Sequence, residues 1–249
     1  MTIDKHYYLD AMGIQTWVRR DLPVSAAPVM LDDSQVMTQD QAVELTIERK
    51  PRSVDLPAGD RVSSYNWQQL KAAVSQCIAC ELHETRKHTV FGVGDEQADW
   101  MVIGEAPGAD EDRQGEPFVG KAGQLLNNML QAVGLKREQV YIANILKCRP
   151  PNNRDPRPEE VVKCEPFLKR QVELVNPKII LAVGRIAAHN LLKTDVSLSK
   201  LRGKVYYYGA FETPLIVTYH PAYLLRSPQE KRRAWQDLLL AKSVSEGGS

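Results

Sequence analysis

Four cysteines, a glycine-rich acidic segment and a histidine set before a proline carry most of the chemistry this sequence can do. The cysteines are Cys77 and Cys80, two residues apart, and Cys148 and Cys164, fifteen residues apart, with 67 residues between the pairs. Two thiols on one tight turn chelate one side of a metal site, and the other side must come from elsewhere in the fold. A structural zinc site ordinarily closes with a second short knuckle, which a fifteen-residue gap is not. An iron–sulfur cluster is larger and accepts ligands spread through the chain. Four cysteines with none spare favour one four-ligand site, a [4Fe–4S] cluster ahead of zinc. Four buried apolar thiols are the remaining reading, weakened by the closeness of Cys77 and Cys80 and by the polar "ELHETRKH" that follows.

The segment "GEAPGADEDRQGEPFVGKAGQLL" (104–126) is dense in Gly, Pro and acid. Within it, Gly115, Gly120 and Lys121 have the spacing of a phosphate-cradling loop, but Ala122 stands where a magnesium-binding Ser or Thr is required. Phe118 would also crowd a phosphate. A nucleotide hydrolase is therefore excluded. A ring on a rigid polar loop is suited to stacking on a flat base. In "TYHPAYLLRSP" His220 is pinned by Pro221, and the apolar residues after it, with Arg226, have the make-up of a wedge that enters a base stack. His6, His83, His88 and His189 lack such a context.

The elements that must position these residues are legible as apolar runs and helical periods. Short runs at 100–106, 140–146, 178–184 and 214–220 predict four strands. Helices are predicted at 63–77, 121–134, 157–175 with a kink at Pro166, 185–192 and 227–244. Strands alternating with helices imply a three-layer α/β/α arrangement on a parallel sheet. Ligands then bind beyond the carboxyl ends of the strands, where Glu105, Asn144, Gly184 and His220 fall.

The chain of 249 residues has 43% hydrophobic and 25% charged residues, ordinary for a soluble globular protein. A net charge of +1 leaves any nucleic-acid contact to local patches. No apolar run approaches the roughly 20 residues of a membrane span. The start, "MTIDKHYYLD", lacks the pattern of a signal peptide, so a cytoplasmic protein is expected. Tyr7, Leu9, Met12, Ile14 and Trp17 give residues 1–20 an amphipathic pattern, read either as a marginal helix or frayed end, or as a docking peptide for a protein partner or for this protein's own body. Residues 21–62, with Pro23, Pro28, Pro51 and Pro57 and no sustained period, read as a largely disordered linker. The expected division is an extension over 1–62 and a folded domain over 63–245.

From about Cys77 to Leu240 the chain resembles the uracil-DNA glycosylase superfamily, most closely its iron–sulfur branch, family 4. The resemblance rests on the four cysteines with their spacing, on the 104–126 segment, on "ANILKCRPPNNRDPRPEEVVKC" and on "TYHPAYLL". It implies a four-stranded parallel sheet, a [4Fe–4S] cluster on Cys77, Cys80, Cys148 and Cys164, and removal of uracil from double- or single-stranded DNA by a monomer. It further implies that Phe118 stacks on flipped uracil, that Asn144 reads its edge, and that His220 stabilises the departing anion. Glu105 and Ala106 would line the pocket, Glu111 would stand near uracil C5, and Leu224 and Arg226 would belong to the loop that fills the duplex. An Asp that orients water in the best-known branch is replaced by Ala106, which leaves Glu105 and Glu111 as candidates. The basic histidine-bearing insertion of a related covalent branch is missing between Asn144 and Cys164, so turnover is expected. The alternative is a non-catalytic iron–sulfur damage-binding protein tethered to a repair or replication partner.

Overall fold

The computed structural model describes residues 62–247. The extension expected over 1–62 lies outside the described residues except for Val62. Helix α1 (Trp67–Ser75) begins with a capping box: Gln69 N–H donates to Asn66 Oδ1 at 2.9 Å, and Asn66 N–H donates to Gln69 Oε1 at 3.0 Å. The box satisfies two backbone donors that a helix start leaves free. The short helix α2 (Leu82–Thr85) and the two-residue strand β1 (Val93–Gly94) follow. Strand β2 (Trp100–Gly104) is buried throughout and leads into α3 (Ala109–Gln114), which ends at Gly115 with φ 77°. Helix α4 (Lys121–Ala132) buries Leu125, Leu126, Met129 and Leu130. Next come β3 (Val140–Asn144) and the long α5 (Pro158–Val175). A proline at the first position of α5 loses no hydrogen bond. Pro166 sits inside α5, which continues to Val175. The chain then forms β4 (Ile179–Val183), α6 (Arg185–Leu192), α7 (Leu198–Leu201), β5 (Val205–Tyr208), β6 (Thr213–Thr218), α8 (Pro221–Arg226) and α9 (Lys231–Ser245).

The sheet order is β1-β3-β2-β4-β6-β5. The four strands predicted from sequence are its centre, β3, β2, β4 and β6, all mutually parallel. The expected four-stranded sheet is corrected to six by the antiparallel edge strands β1 and β5.

Side chains along the central strands alternate between two cores, the period-two consequence of the pleat. Met101, Ile103, Ile180 and Val217 face α1, α5 and α6 through Leu70, Val74, Leu168, Val172 and Leu191. Val102, Ile142, Leu181 and Ile216 face α4 and α9 through Leu126, Met129, Leu130 and Leu238. Covering both faces is what lets these strands be almost wholly apolar, and it gives the three layers expected. No helix among the described residues is long and apolar enough to cross a membrane.

Candidate active site and cysteine cavity

In the sheet, Gly104 pairs with Asn144 at the carboxyl ends of β2 and β3. A pocket of about 460 Å³ opens above this rim, within the range of small-ligand sites. Glu105, Ala106, Glu111, Phe118, Asn144, His220 and Arg226 all line it. The residues that sequence reading singled out for the pocket therefore meet in one cavity.

Asn144 is 2% exposed, and its Oδ1 has no hydrogen-bond partner among the described residues. A buried acceptor left unpaired costs about 1–3 kcal/mol, so this oxygen is ready for a donor on a ligand. Gly104 is required beside it: a Cβ there would overlap Asn144 Oδ1 and come within 2.6 Å of Phe118 Cζ. Phe118 holds a left-handed backbone, φ 54°, uncommon for an aromatic residue. Its ring centroid lies 5.6 Å from that of His220, tilted by 30°.

His220 caps the N-terminus of α8, and its Nδ1 accepts a hydrogen bond from Ala222 N–H at 3.1 Å. An accepting Nδ1 assigns the proton of the neutral ring to Nε2. Burial first, and then the positive charge of Arg226, bring the His220 pKa down to about 4. The neutral ring is thus the form present near pH 7.

The two pocket carboxylates differ in environment. Glu111 Oε1 accepts from Val119 N–H at 3.0 Å and Gly120 N–H at 3.1 Å, and Oε2 accepts from Gly108 N–H at 3.1 Å. Both its oxygens are occupied in tying the loop after β2 to the start of α4. The Glu105 carboxylate has no such backbone donors among the described residues. Burial first, then the negative charge of Asp155, push its carboxyl up to about 7, with Arg185 opposing. Arg185 bridges Asp155 at 2.7 Å.

Leu224, expected to fill the duplex, is fully buried among the residues of the α4–α9 core. That expectation is corrected: the segment is helix α8, and its helical turn directs Leu224 inward. The exposed apolar residues there are Tyr223 (38%) and Leu225 (44%). Tyr223 lines the pocket and packs on Tyr219 with 5.1 Å between centroids.

Sequence reading also missed the wall formed by Asn153, Arg154 and Asp155. Asn152 and Asn153 are both left-handed, φ 55° and 53°, and Asn is among the few residues that visit that region readily. The pair of asparagines in "PPNNRDP" was the available signal. Arg149 Nε donates to Asn153 Oδ1 at 2.7 Å, and Arg154 grips the buried Glu160 with both amino groups.

The four cysteines line a second cavity together with Arg86, Lys147, Lys163 and Phe167. Cys148 and Cys164 are buried, while Cys77 and Cys80 are partly exposed. Burial raises the Cys80 and Cys148 thiols and pushes Cys164 up to about 12. Donors nevertheless point at the sulfurs: Arg86 Nη1 lies 3.1 Å from Cys148 Sγ, and Lys147 N–H lies 3.3 Å from Cys164 Sγ. Among the described residues, no three of the His, Cys, Asp and Glu side chains are grouped to hold one metal ion. Lys147 Nζ is buried and bonds to Asn144 O at 2.8 Å and Gln171 Oε1 at 2.6 Å, both neutral groups.

Residues 91–239 match the family model of the uracil DNA glycosylase superfamily. The chain is similar to the type-4 uracil-DNA glycosylase of Archaeoglobus fulgidus, 50% identical over 63% of this chain and 81% of that relative. It is 44% identical to the type-4 enzyme of Thermotoga maritima, over 68% and 90% of the two chains. Against that of Sulfurisphaera tokodaii it is 42% identical, over 68% and 80%.

Proposed function

Since the chain belongs to the uracil-DNA glycosylase superfamily, we infer that it hydrolyses the N-glycosidic bond of uracil in DNA and leaves an abasic site. The observation that carries this reading is the unpaired Oδ1 of buried Asn144, set in one pocket with the Phe118 ring and His220. Uracil presents an N3–H donor beside its O4 acceptor, whereas cytosine presents the reverse. An Asn amide has one acceptor and one donor group for the uracil edge, and Oδ1 would take the N3–H.

A glycosylase must first turn the base out of the stack. Phe118 would then supply a stacking face worth roughly 1–3 kcal/mol. As the glycosidic bond breaks, negative charge moves onto uracil. His220 meets it at O2 with a neutral Nε2–H, a contribution of about 3–4 kcal/mol by comparison with one oxyanion donor. Glu105 is assigned to the water and to the positive sugar, because Glu111 is committed to three backbone donors. Glu111 instead gives the pocket its shape, and Ala106 with it lines the wall. Arg226, with Tyr223 and Leu225 in place of Leu224, is assigned to the DNA.

The test is an oligonucleotide carrying one uracil, treated with the protein and then with alkali, which breaks the strand at an abasic site. Cleavage is expected with uracil and not with cytosine. Asn144→Ala is expected to lower the rate at least tenfold, the scale of a lost buried hydrogen bond, while the thermal melt is kept. An unchanged rate would remove the basis for Asn144 as the reader.

We assign a [4Fe–4S] cluster to Cys77, Cys80, Cys148 and Cys164. Four thiols around one cavity, brought from two pairs far apart in the chain without a second short knuckle, suit a multi-atom centre better than zinc. The buried Lys147 with only neutral partners among the described residues favours an anionic occupant, because an uncompensated buried charge is costly. Four thiolates ligating such a cluster supply that charge. Hydrolysis moves no electrons, so the cluster would serve structure and DNA placement. Purified protein is expected to be brown with iron and sulfide in equal amounts; stoichiometric zinc in a colourless, active protein would overturn the assignment.

Residues 1–20 are assigned to docking of a protein partner, on the amphipathic pattern of Tyr7, Leu9, Met12, Ile14 and Trp17; truncation before residue 62 tests whether the site depends on them.

A further inference from the structure

Phe118 sits in a strained backbone conformation, and strain at a working residue persists only if its surroundings over-determine it. The two peptide planes that flank its Cα fix its φ and ψ. The first plane carries the Pro117 carbonyl, which accepts from Arg137 Nη2 at 2.6 Å. The second carries the Phe118 carbonyl, which accepts from Arg137 Nη1 at 3.3 Å. The N–H of that second plane belongs to Val119 and donates to Glu111 Oε1 at 3.0 Å. One peptide unit is therefore held at its negative pole by a cation and at its positive pole by an anion. Arg137 Nη1 is also 3.3 Å from Asn127 Oδ1 on α4, and Arg137 makes no ion pair among the described residues. Its planar fork suits two neighbouring carbonyls, which a lysine point charge does not reproduce. Gly123 leaves the space for this turn, since a Cβ there would overlap the Phe118 carbonyl.

We propose that Arg137 is a positioning residue for uracil: from outside the pocket it locks both peptide planes around Phe118 and so sets the ring's angle to the base. The proposal rests on the reading of Phe118 as the stacking platform. It acts at a distance of nineteen residues in sequence and is not among the residues that line the pocket. Without the fork the Phe118 backbone relaxes, and the ring samples angles that do not stack.

The test is a double-mutant cycle on the full chain, with Arg137→Met, Phe118→Ala and both together, plus Arg137→Lys. The readouts are kcat/KM on the uracil oligonucleotide and competitive inhibition by free uracil, each per mole of folded protein. Arg137→Met is expected to weaken inhibition by uracil about tenfold, the scale of a lost charge-assisted hydrogen bond. Arg137→Lys should fall between it and the parent chain. In the Phe118→Ala background the Arg137 change is expected to have no further effect, because no ring remains to position. Independent, multiplying effects would overturn the proposal, as would unchanged inhibition by uracil in both Arg137 variants. If Phe118→Ala alone leaves kcat/KM unchanged, the stacking reading itself fails, which is a separate outcome. Should Arg137→Met not fold, the same cycle run with Arg137→Lys decides the question.

Discussion

At the scale of single residues, the pocket depends on two groups whose protonation is shifted in opposite directions from the usual order. His220 is neutral down to about pH 4, while Glu105 keeps a proton up to about pH 7. If Glu105 acts ionised, the cleavage rate should rise as pH passes through about 7, and His220 should add no second limb in that range. Glu105→Gln is expected to be slower and to lack the limb; a variant with the same rising limb would remove Glu105 from the reaction. Stability should move the other way. The folded carboxyl has a pKa raised from 4.5 to about 7, so its contribution is complete below the unfolded value and is lost as pH climbs through about 7. Thermal melts should therefore show Glu105→Gln gaining on the parent chain between acidic and neutral pH. Identities such as Glu105, Asn144 and His220 were legible in the sequence because strand ends mark them. Arg137 was not, because the partners that matter for Phe118 are backbone carbonyls, and nothing in residue type announces a carbonyl that needs a donor.

At the scale of elements, the turn into α4 is where local rules bend most. Left-handed Phe118, the fork of Arg137 and the side-chain-free Gly123 hold one another in place. Gly123→Ala is expected to destabilise the fold by several kcal/mol or to displace the turn, since its Cβ meets backbone rather than a movable side chain. A denaturant titration measures the first effect and uracil inhibition the second. The central strands and long helices were legible because their apolar residues recur with clear periods. Edge strand β5, "VYYY", alternates exposed and half-buried and so gave no apolar run. Helix α8 was hidden by Pro221, which reads as a breaker in sequence yet stands at a first helical position, where it is tolerated. That one missed helix is why Leu224 was expected outside together with Tyr223 and Leu225, although only the latter two are exposed.

At the scale of the whole molecule, the folded unit is a three-layer body whose pocket and cysteine cavity are joined by the stretch from Asn144 to Cys148. Lys147 touches both, bonding to the Asn144 carbonyl by its ammonium and to Cys164 by its backbone N–H. A chain that starts at residue 62 is expected to cleave the uracil oligonucleotide as fast as the full chain. A slower truncated chain would show that residues 1–61 serve the site and not a partner. The order of strands has a consequence for the protein while it is being made. β2 and β3 meet early with Glu105 and Asn144 at their ends, but His220 arrives with β6, the last parallel strand to be added. Chains emerge N-terminal end first, so a nascent chain can shape most of the pocket while still lacking His220, the residue proposed to meet the leaving uracil. Competence to cut DNA is thereby withheld until β6 has been made.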